Sequence, residues 1–301
     1  MIVVIMGPTG VGKTKLSISL AKRYNAEIIN GDSVQIYRGM DIGSAKVTEE
    51  EKEGIVHHLF DIKNVNDEYS LYDYQNDARM VINDILSRGK NVIIVGGTGL
   101  YIKSALYDYT LAKENSIKEN YDGISTEELY NKLKEIDKEI EIDQYNRRRI
   151  VRAINYYYEN NHSISNNKQG NKLLYDAIFI GLTTKDREVL YKRIDERVDK
   201  MISCGLIQEV KKFYDKGIRS RPLLNAIGYK ELYSYFDGCV TYEEAIRLIK
   251  RNSRRYAKRQ YTFFNHQFDM KWFDVDFNNF DNTINDVNNY IDKEKDYISR
   301  I

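Results

Sequence analysis

Lys13 and Thr14 close an eight-residue run, Gly7-Pro8-Thr9-Gly10-Val11-Gly12-Lys13-Thr14, whose spacing fits G-x-x-x-x-G-K-S/T. The chemistry on offer is capture of a polyphosphate. Backbone N–H groups at the start of a helix cradle phosphate oxygens, and the helix dipole adds to the attraction. Lys13 brings a point charge, and the Thr14 hydroxyl is a ligand for Mg2+. Asp32, in Gly31-Asp32-Ser33, is a second candidate. Its carboxylate has two open uses: a general base or magnesium-sphere group, or a plain turn or N-cap residue. Gly96-Gly97-Thr98-Gly99 is a third candidate. Small residues there let either a ligand or a packed helix come close. Two basic clusters complete the set. Arg147, Arg148, Arg149 and Arg152 have no acid among them, and a phosphate backbone is the fitting ligand. Residues 250–259 hold six basic residues and no acid, with Tyr256, Tyr261, Phe263 and Phe264 in or beside them. Such a pattern tracks RNA backbone and stacks bases.

Short apolar runs over 2–6, 26–30, 59–62, 91–95 and 176–182 read as five buried parallel strands. Helical spacing follows at 15–24, 70–88, 185–201, 206–216 and 242–264, with Ser70 as N-cap and Gly89 as a stop. In such a sheet the first phosphate loop lies at the carboxyl ends of the strands, and a carboxylate just past residue 30 points into the same crevice. The predicted fold is α/β: a P-loop NTPase-type parallel five-stranded sheet with helices on both faces, plus a helical insertion. The division is 1–108 for the first part of the core, 109–145 for the insertion, 146–270 for the core return and C-terminal helices, and 271–301 for a peripheral tail. His57 and His58 point to opposite faces of a strand and are expected to be structural.

The charge is balanced at 46 Lys+Arg against 45 Asp+Glu, so only local clusters argue about nucleic acid. Two cysteines, Cys204 and Cys239, make neither a disulfide framework nor a zinc site, and a cytoplasmic setting is expected. No apolar run approaches the length of a membrane span, and no signal peptide is expected.

Taken together the motifs resemble those of the tRNA dimethylallyltransferases (tRNA isopentenyltransferases). The matching stretches are GPTGVGKT at 7–14, NGDSVQIYRGMDIGSAK at 30–46, HHLFDI at 57–62, GGTGLY at 96–101, RRIVRAI at 148–154, AIGYKE at 226–231 and RYAKRQ at 255–260. The resemblance implies transfer of a dimethylallyl group from dimethylallyl diphosphate to the exocyclic amine of the adenosine 3′ of the anticodon in tRNA. It implies that the P-loop, Gly7 to Thr14, holds the diphosphate in place of a nucleotide, with Mg2+ on Thr14. By its match to the family's motif, Asp32 looks like the general base. The resemblance further implies that Ser33, Val34, Gln35 and Thr98 line the pocket of the flipped base, and that Arg147, Arg148, Arg149 and Arg152 grip the anticodon stem-loop. Arg187, Lys230, Arg255, Lys258 and Arg259 are expected to contact phosphates. The partners implied are tRNA and dimethylallyl diphosphate, with no membrane, and a monomer as the unit.

Three departures from the family pattern stand out. Residues 109–122 lack the arginine common near the start of the insertion. Asp143-Gln144-Tyr145-Asn146 stands where HPND is frequent, and Thr262-Phe263-Phe264-Asn265 where TWFR is frequent. Other readings share parts of the pattern: a prenyltransferase acting on free adenine nucleotides, a small-molecule P-loop kinase, and a nucleotide-dependent RNA-binding switch. The two basic clusters argue against the first of these. The kinase would bind ATP tightly, and the switch lacks a clear water-positioning glutamine.

Overall fold

The computed structural model describes residues 1–111, 121–167 and 169–298. In chain order β1 (Ile2–Met6), α1 (Lys13–Tyr24), β2 (Ala26–Asn30), α2 (Glu49–Lys52), β3 (His57–His58), α3 (Leu71–Ser87), β4 (Asn91–Val95) and α4 (Gly99–Leu106) form the first half of the core. β5 (Tyr107–Tyr109), α5 (Thr126–Ile136), α6 (Arg147–Asn160) and β6 (Gln169–Leu173) follow. The chain then returns with β7 (Ala177–Thr183), α7 (Arg187–Ser203), α8 (Leu206–Tyr214), α9 (Arg221–Asn225), α10 (Tyr229–Phe236), α11 (Tyr242–Gln267), β8 (Lys271–Asp274) and α12 (Phe280–Ile298).

The main sheet is parallel, in the order β3-β2-β4-β1-β7-β8. Its central strands are apolar throughout because both faces are covered. On β1 the pleat sends Ile2, Val4 and Met6 into one core with α3, α4, α10 and α11, and Val3 and Ile5 into the other with α1 and α12. Ser70 caps α3 reciprocally with Asp73, and Gly89 (φ 71°) follows its last turn.

Three expectations change. The third strand is His57–His58 only, because Leu59 (φ 63°) and Asp61 (φ 54°) take left-handed backbone that no strand accommodates. The sheet has a sixth strand, β8, paired in register with β7 from Ile180↔Lys271 to Thr183↔Asp274. The chain beyond residue 270 therefore completes the sheet and, through α12, one of its two cores, and is not a peripheral tail. Lastly, β5 and β6 form an antiparallel neck, Tyr107↔Leu173 and Tyr109↔Gln169, through which the insertion leaves and returns. Leu129 and Leu133 of α5 share a separate core with Ile150, Ala153 and Ile154 of α6. The insertion's packing thus runs past residue 145 to include α6. Residues 112–120, most of the stretch without arginine, lie outside the described residues.

The strand order is what assembles a site. β2, β4 and β1 are neighbours, so the loops that leave their carboxyl ends emerge side by side: the run 7–14 after β1, Asp32 after β2 and Thr98 after β4.

Candidate active site

Gly12 carries φ 101°, a left-handed conformation that turns the chain from β1 into α1 with no Cβ to obstruct it. The Lys13 ammonium folds back onto its own loop, donating to the carbonyls of Gly7 and Pro8 at 2.9 Å each. Thr9, Gly10, Gly12, Lys13 and Thr14 border a cleft of about 2430 Å³, whereas Gly7, Pro8 and Val11 do not line it. Burial, then repulsion from Arg197, pulls the Lys13 amine from its ordinary 10.5 down to about 7, with Asp32 opposing the shift.

Of the two open uses of Asp32, the turn role is visible directly, and the carboxylate also borders the cleft. Asn30, fully buried, locks the turn by donating to the carbonyls of Asp32 and Leu59 at 3.0 Å and accepting from the Asp32 N–H at 2.8 Å. Asp32 Oδ1 then accepts from the Val34 N–H at 2.9 Å, the turn role. Its Oδ2 faces Gly97, where a Cβ would sit 3.4 Å away. Desolvation raises the Asp32 pKa; the Val34 N–H and the charges of Lys13 and Arg197 oppose the rise. A carboxylate so placed is a better proton acceptor than an exposed one.

Thr98 reaches across from β4. Its hydroxyl oxygen accepts from the Ser33 N–H at 3.1 Å and lies 3.2 Å from the Ser33 hydroxyl. Its flanking glycines serve close packing: a Cβ on Gly96 would strike Gly31 at 2.1 Å, one on Gly97 would strike Gln260 at 2.3 Å, and one on Gly99 would strike Phe263 at 2.5 Å. Gln35 donates to the carbonyls of Ser44 and Ala45 at 3.0 and 3.3 Å, bracing the next loop. That loop is also seated on the buried Glu209, which accepts from the N–H groups of Asp41, Ile42 and Gly43 at 2.8–3.1 Å and from the Tyr229 hydroxyl at 2.5 Å. Ser33, Val34 and Gln35 all line the cleft. The His57 ring meets the Ile55 carbonyl and the His58 ring meets Glu27, at 2.8 and 2.7 Å, and His57 also borders the cleft.

The arginines divide. Arg148, Arg149 and Arg152 line the cleft with Lys230 and Arg259. Arg147 instead ties α6 to the preceding turn, donating to the carbonyls of Ile124 and Tyr121 at 2.6 and 2.8 Å. Arg187, Arg255 and Lys258 are exposed and lie outside the cleft lining. The run 250–259 is less unpaired than its sequence shows, because α7 supplies acids: Lys250 meets Asp199 at 2.6 Å and Arg254 meets Asp195 at 2.5 Å. Two α7 residues that sequence reasoning passed over are central. Arg197 donates to the Thr9 hydroxyl at 3.1 Å, and Arg193 donates to the Gly10 carbonyl at 3.4 Å while stacked 4.3 Å from the Phe277 ring. Their i, i+4 spacing put both on one helix face, which was the available signal. Lys216, Arg219 and Arg221, also missed, line the cleft as well. In all, its lining holds twelve Lys and Arg against six Asp and Glu, although the whole chain is nearly neutral. Folding has segregated the charge into a site suited to a polyanion.

A phosphate loop facing a cation-lined cleft, on an all-parallel sheet with a neck-borne insertion, defines a P-loop α/β protein. The family model for IPP transferase matches residues 35–267. A tRNA dimethylallyltransferase of Anoxybacillus flavithermus is 51% identical over 281 residues, 91% of this chain and 90% of that protein. One from Bacillus subtilis is 50% identical over 285 residues, with the same coverage. Among solved structures, the full-length tRNA isopentenylpyrophosphate transferase of Bacillus halodurans aligns at TM-score 0.76 and 43% identity, over 100% of this chain and 99% of that one. A eukaryotic dimethylallyltransferase acting on tRNA aligns at 0.85 and 30%, over 99% of this chain and 79% of that one. The chain belongs to the tRNA dimethylallyltransferase family.

Among the described residues no group of three His, Cys, Asp or Glu could hold a metal ion, and no helix is long and apolar enough to cross a membrane.

Proposed function

We propose that this chain uses dimethylallyl diphosphate as donor and prenylates N6 of the adenosine 3′-adjacent to the anticodon. The coarser activity, transfer of a dimethylallyl group to tRNA, comes with the family. The observation that carries the finer reading is the convergence of Lys13, Asp32 and Thr98 from three adjacent strand ends at one cleft.

In this reading the diphosphate lies on the N–H groups of the P-loop, with Lys13, Arg193 and Arg197 around it. The target adenine leaves the anticodon stack and enters beside Thr98 and Ser33. Its amine is a poor nucleophile, because the lone pair is delocalised into the ring. As N6 bonds to the first carbon of the dimethylallyl group, the carbon–oxygen bond to diphosphate breaks and one N6 proton passes to Asp32. A positioned base of this kind is worth roughly 10²–10⁴-fold. Negative charge grows on the departing diphosphate, where the fixed cations stabilise it.

Thr14 fits Mg2+ as a hard-oxygen donor at the cleft edge, the remaining ligands coming from diphosphate and water, a common arrangement for this ion. When bound, the ion supplies further charge neutralisation of the leaving group. Arg148, Arg149 and Arg152 on the insertion face the stem. Every group named comes from one chain, and the monomer is taken as the active unit.

The test is transfer of labelled dimethylallyl from its diphosphate, with magnesium, to an anticodon stem-loop carrying the target adenosine. Free AMP and an Asp32→Ala variant run alongside. Label in the stem-loop, absent from AMP and lost in the variant, is the expected result. Label in AMP alone, or ATP-dependent product, overturns the reading.

A further inference from the structure

Gln260 lies on α11, far along the chain from both reactant loops, yet its side chain touches each of them. Its carboxamide is buried, with the residue 5% exposed. Oε1 accepts from the Thr9 N–H of the P-loop at 3.0 Å, and Nε2 donates to the Gly97 carbonyl at 3.0 Å. Tyr256, one helical turn earlier, donates to the same carbonyl at 3.3 Å. The two partners dictate the amide's orientation, since an N–H demands the oxygen and a carbonyl demands the NH2. Within the standard set only glutamine combines this reach with one acceptor and one donor. The fit is close, because a Cβ on Gly97 would stand 2.3 Å from Nε2 and 3.4 Å from Asp32 Oδ2. The carboxamide and the carboxylate therefore flank the same glycine.

Resting on the reading above, in which residues 7–14 hold the donor and Thr98 the acceptor base, we infer that Gln260 is a positioning residue that sets the separation between donor and acceptor. Both of its hydrogen bonds go to the loops, to Thr9 and Gly97, so it acts through them. Thr9 is gripped from two sides, its N–H by Gln260 and its hydroxyl by Arg197. Gly97 immediately precedes the residue proposed to hold the base. An in-line displacement depends steeply on that separation: a misplacement of about 1 Å costs on the order of 10²-fold.

The experiment uses the full chain, the labelled-transfer assay, a fluorescent stem-loop for tRNA affinity and thermal melts. Wild-type protein runs first, and absence of transfer there would fail the functional reading and not this one. Gln260→Leu removes both bonds. Its kcat is expected to fall about 10²-fold, with stem-loop Kd within twofold and a cooperative melt. Gln260→Glu keeps the acceptor for Thr9 but removes the donor to Gly97 and places a second acid beside Asp32. The charged and titratable groups around Asp32 are Lys13 on α1, Tyr74 on α3, Tyr101 on α4, Arg197 on α7 and Tyr256 on α11, and none of them is altered. The donor KM of Gln260→Glu should stay within twofold, while kcat falls and the acid limb of its pH profile moves up by about one unit. A purely structural role would reduce only the folded fraction, leaving kcat per folded molecule and the pH profile unmoved. Wild-type kcat and pH profile in Gln260→Glu, or a Gln260→Leu loss fully explained by unfolding, would overturn the inference.

Discussion

Arg197 on α7 donates to the Thr9 hydroxyl at 3.1 Å, so a helix that begins after β7 reaches back to the phosphate loop after β1. Arg187 sits ten residues earlier on the same helix, about 15 Å along the axis, and is outside the cleft lining. Loss of a charged hydrogen-bonding group costs roughly 1.5–3 kcal/mol. Arg197→Ala should therefore lower kcat/KM for the donor by about 10–100-fold, and Arg187→Ala by less than about twofold. Steady-state kinetics with varied dimethylallyl diphosphate distinguish the two.

Asp32→Asn keeps an oxygen for the Val34 N–H and so preserves the turn. It should lower kcat by about 10²–10⁴-fold while leaving both substrate affinities nearly unchanged. As the proposed base, Asp32 must be ionised in the wild type. Because burial raises its pKa, the acid limb of kcat against pH should lie above the ordinary carboxylate range. That limb should be missing from the residual activity of the variant.

Lys13, lowered to about 7, is largely neutral in the free protein at pH 8. An anionic diphosphate favours its charged form, so donor binding at pH 8 should take up close to one proton, and below about pH 6 none. Calorimetry in two buffers of different ionisation enthalpy measures this, and Lys13→Met should abolish it. The same shift affects stability. A folded pKa below the unfolded value means the folded state is penalised wherever the amine is protonated. The penalty is full below pH 7 and is relieved as pH rises towards 10.5. Lys13→Met should accordingly raise Tm more at pH 6 than at pH 10, by about 1–2 kcal/mol or roughly 2–6 °C at the lower pH.

Adjacent arginines on α6 should behave differently. Arg148→Ala and Arg149→Ala each remove a cleft-lining cation. Each should weaken tRNA binding and reduce the slope of log K against log salt by about 0.7–0.9. Arg147→Ala loses two bonds to backbone carbonyls instead. It should leave the salt slope unchanged and destabilise the insertion by about 1 kcal/mol per bond lost. Fluorescence titrations at several salt concentrations, with melts alongside, separate these outcomes.

Much of the fold was legible because its determinants are local. The run from Ile2 to Met6 followed by Gly7 to Thr14 names a buried strand and a phosphate loop with no further context, and Ser70 to Gly89 carries its own cap and stop. β8 was hidden because an edge strand with only Trp272 and Phe273 as apolar residues has little periodicity to read. The neck strands β5 and β6 are short and half-polar, and their partner is supplied by a segment some sixty residues away.

By itself the sequence determined the phosphate loop, the turn that carries Asp32, the glycine turn around Thr98 and the family pattern they compose. Each is specified by residues within a few positions of one another, where backbone conformation and side-chain reach are local matters. Only the tertiary structure decided which cations line the cleft: Arg193 and Arg197 but not Arg187, Arg148 but not Arg147, with Lys250 and Arg254 paired to acids on α7. It also decided that Gln260 spans the two reactant loops. Charge acts through space, so whether an arginine faces a phosphate or a neighbouring carboxylate depends on which helices pack together, and that is a property of the folded whole.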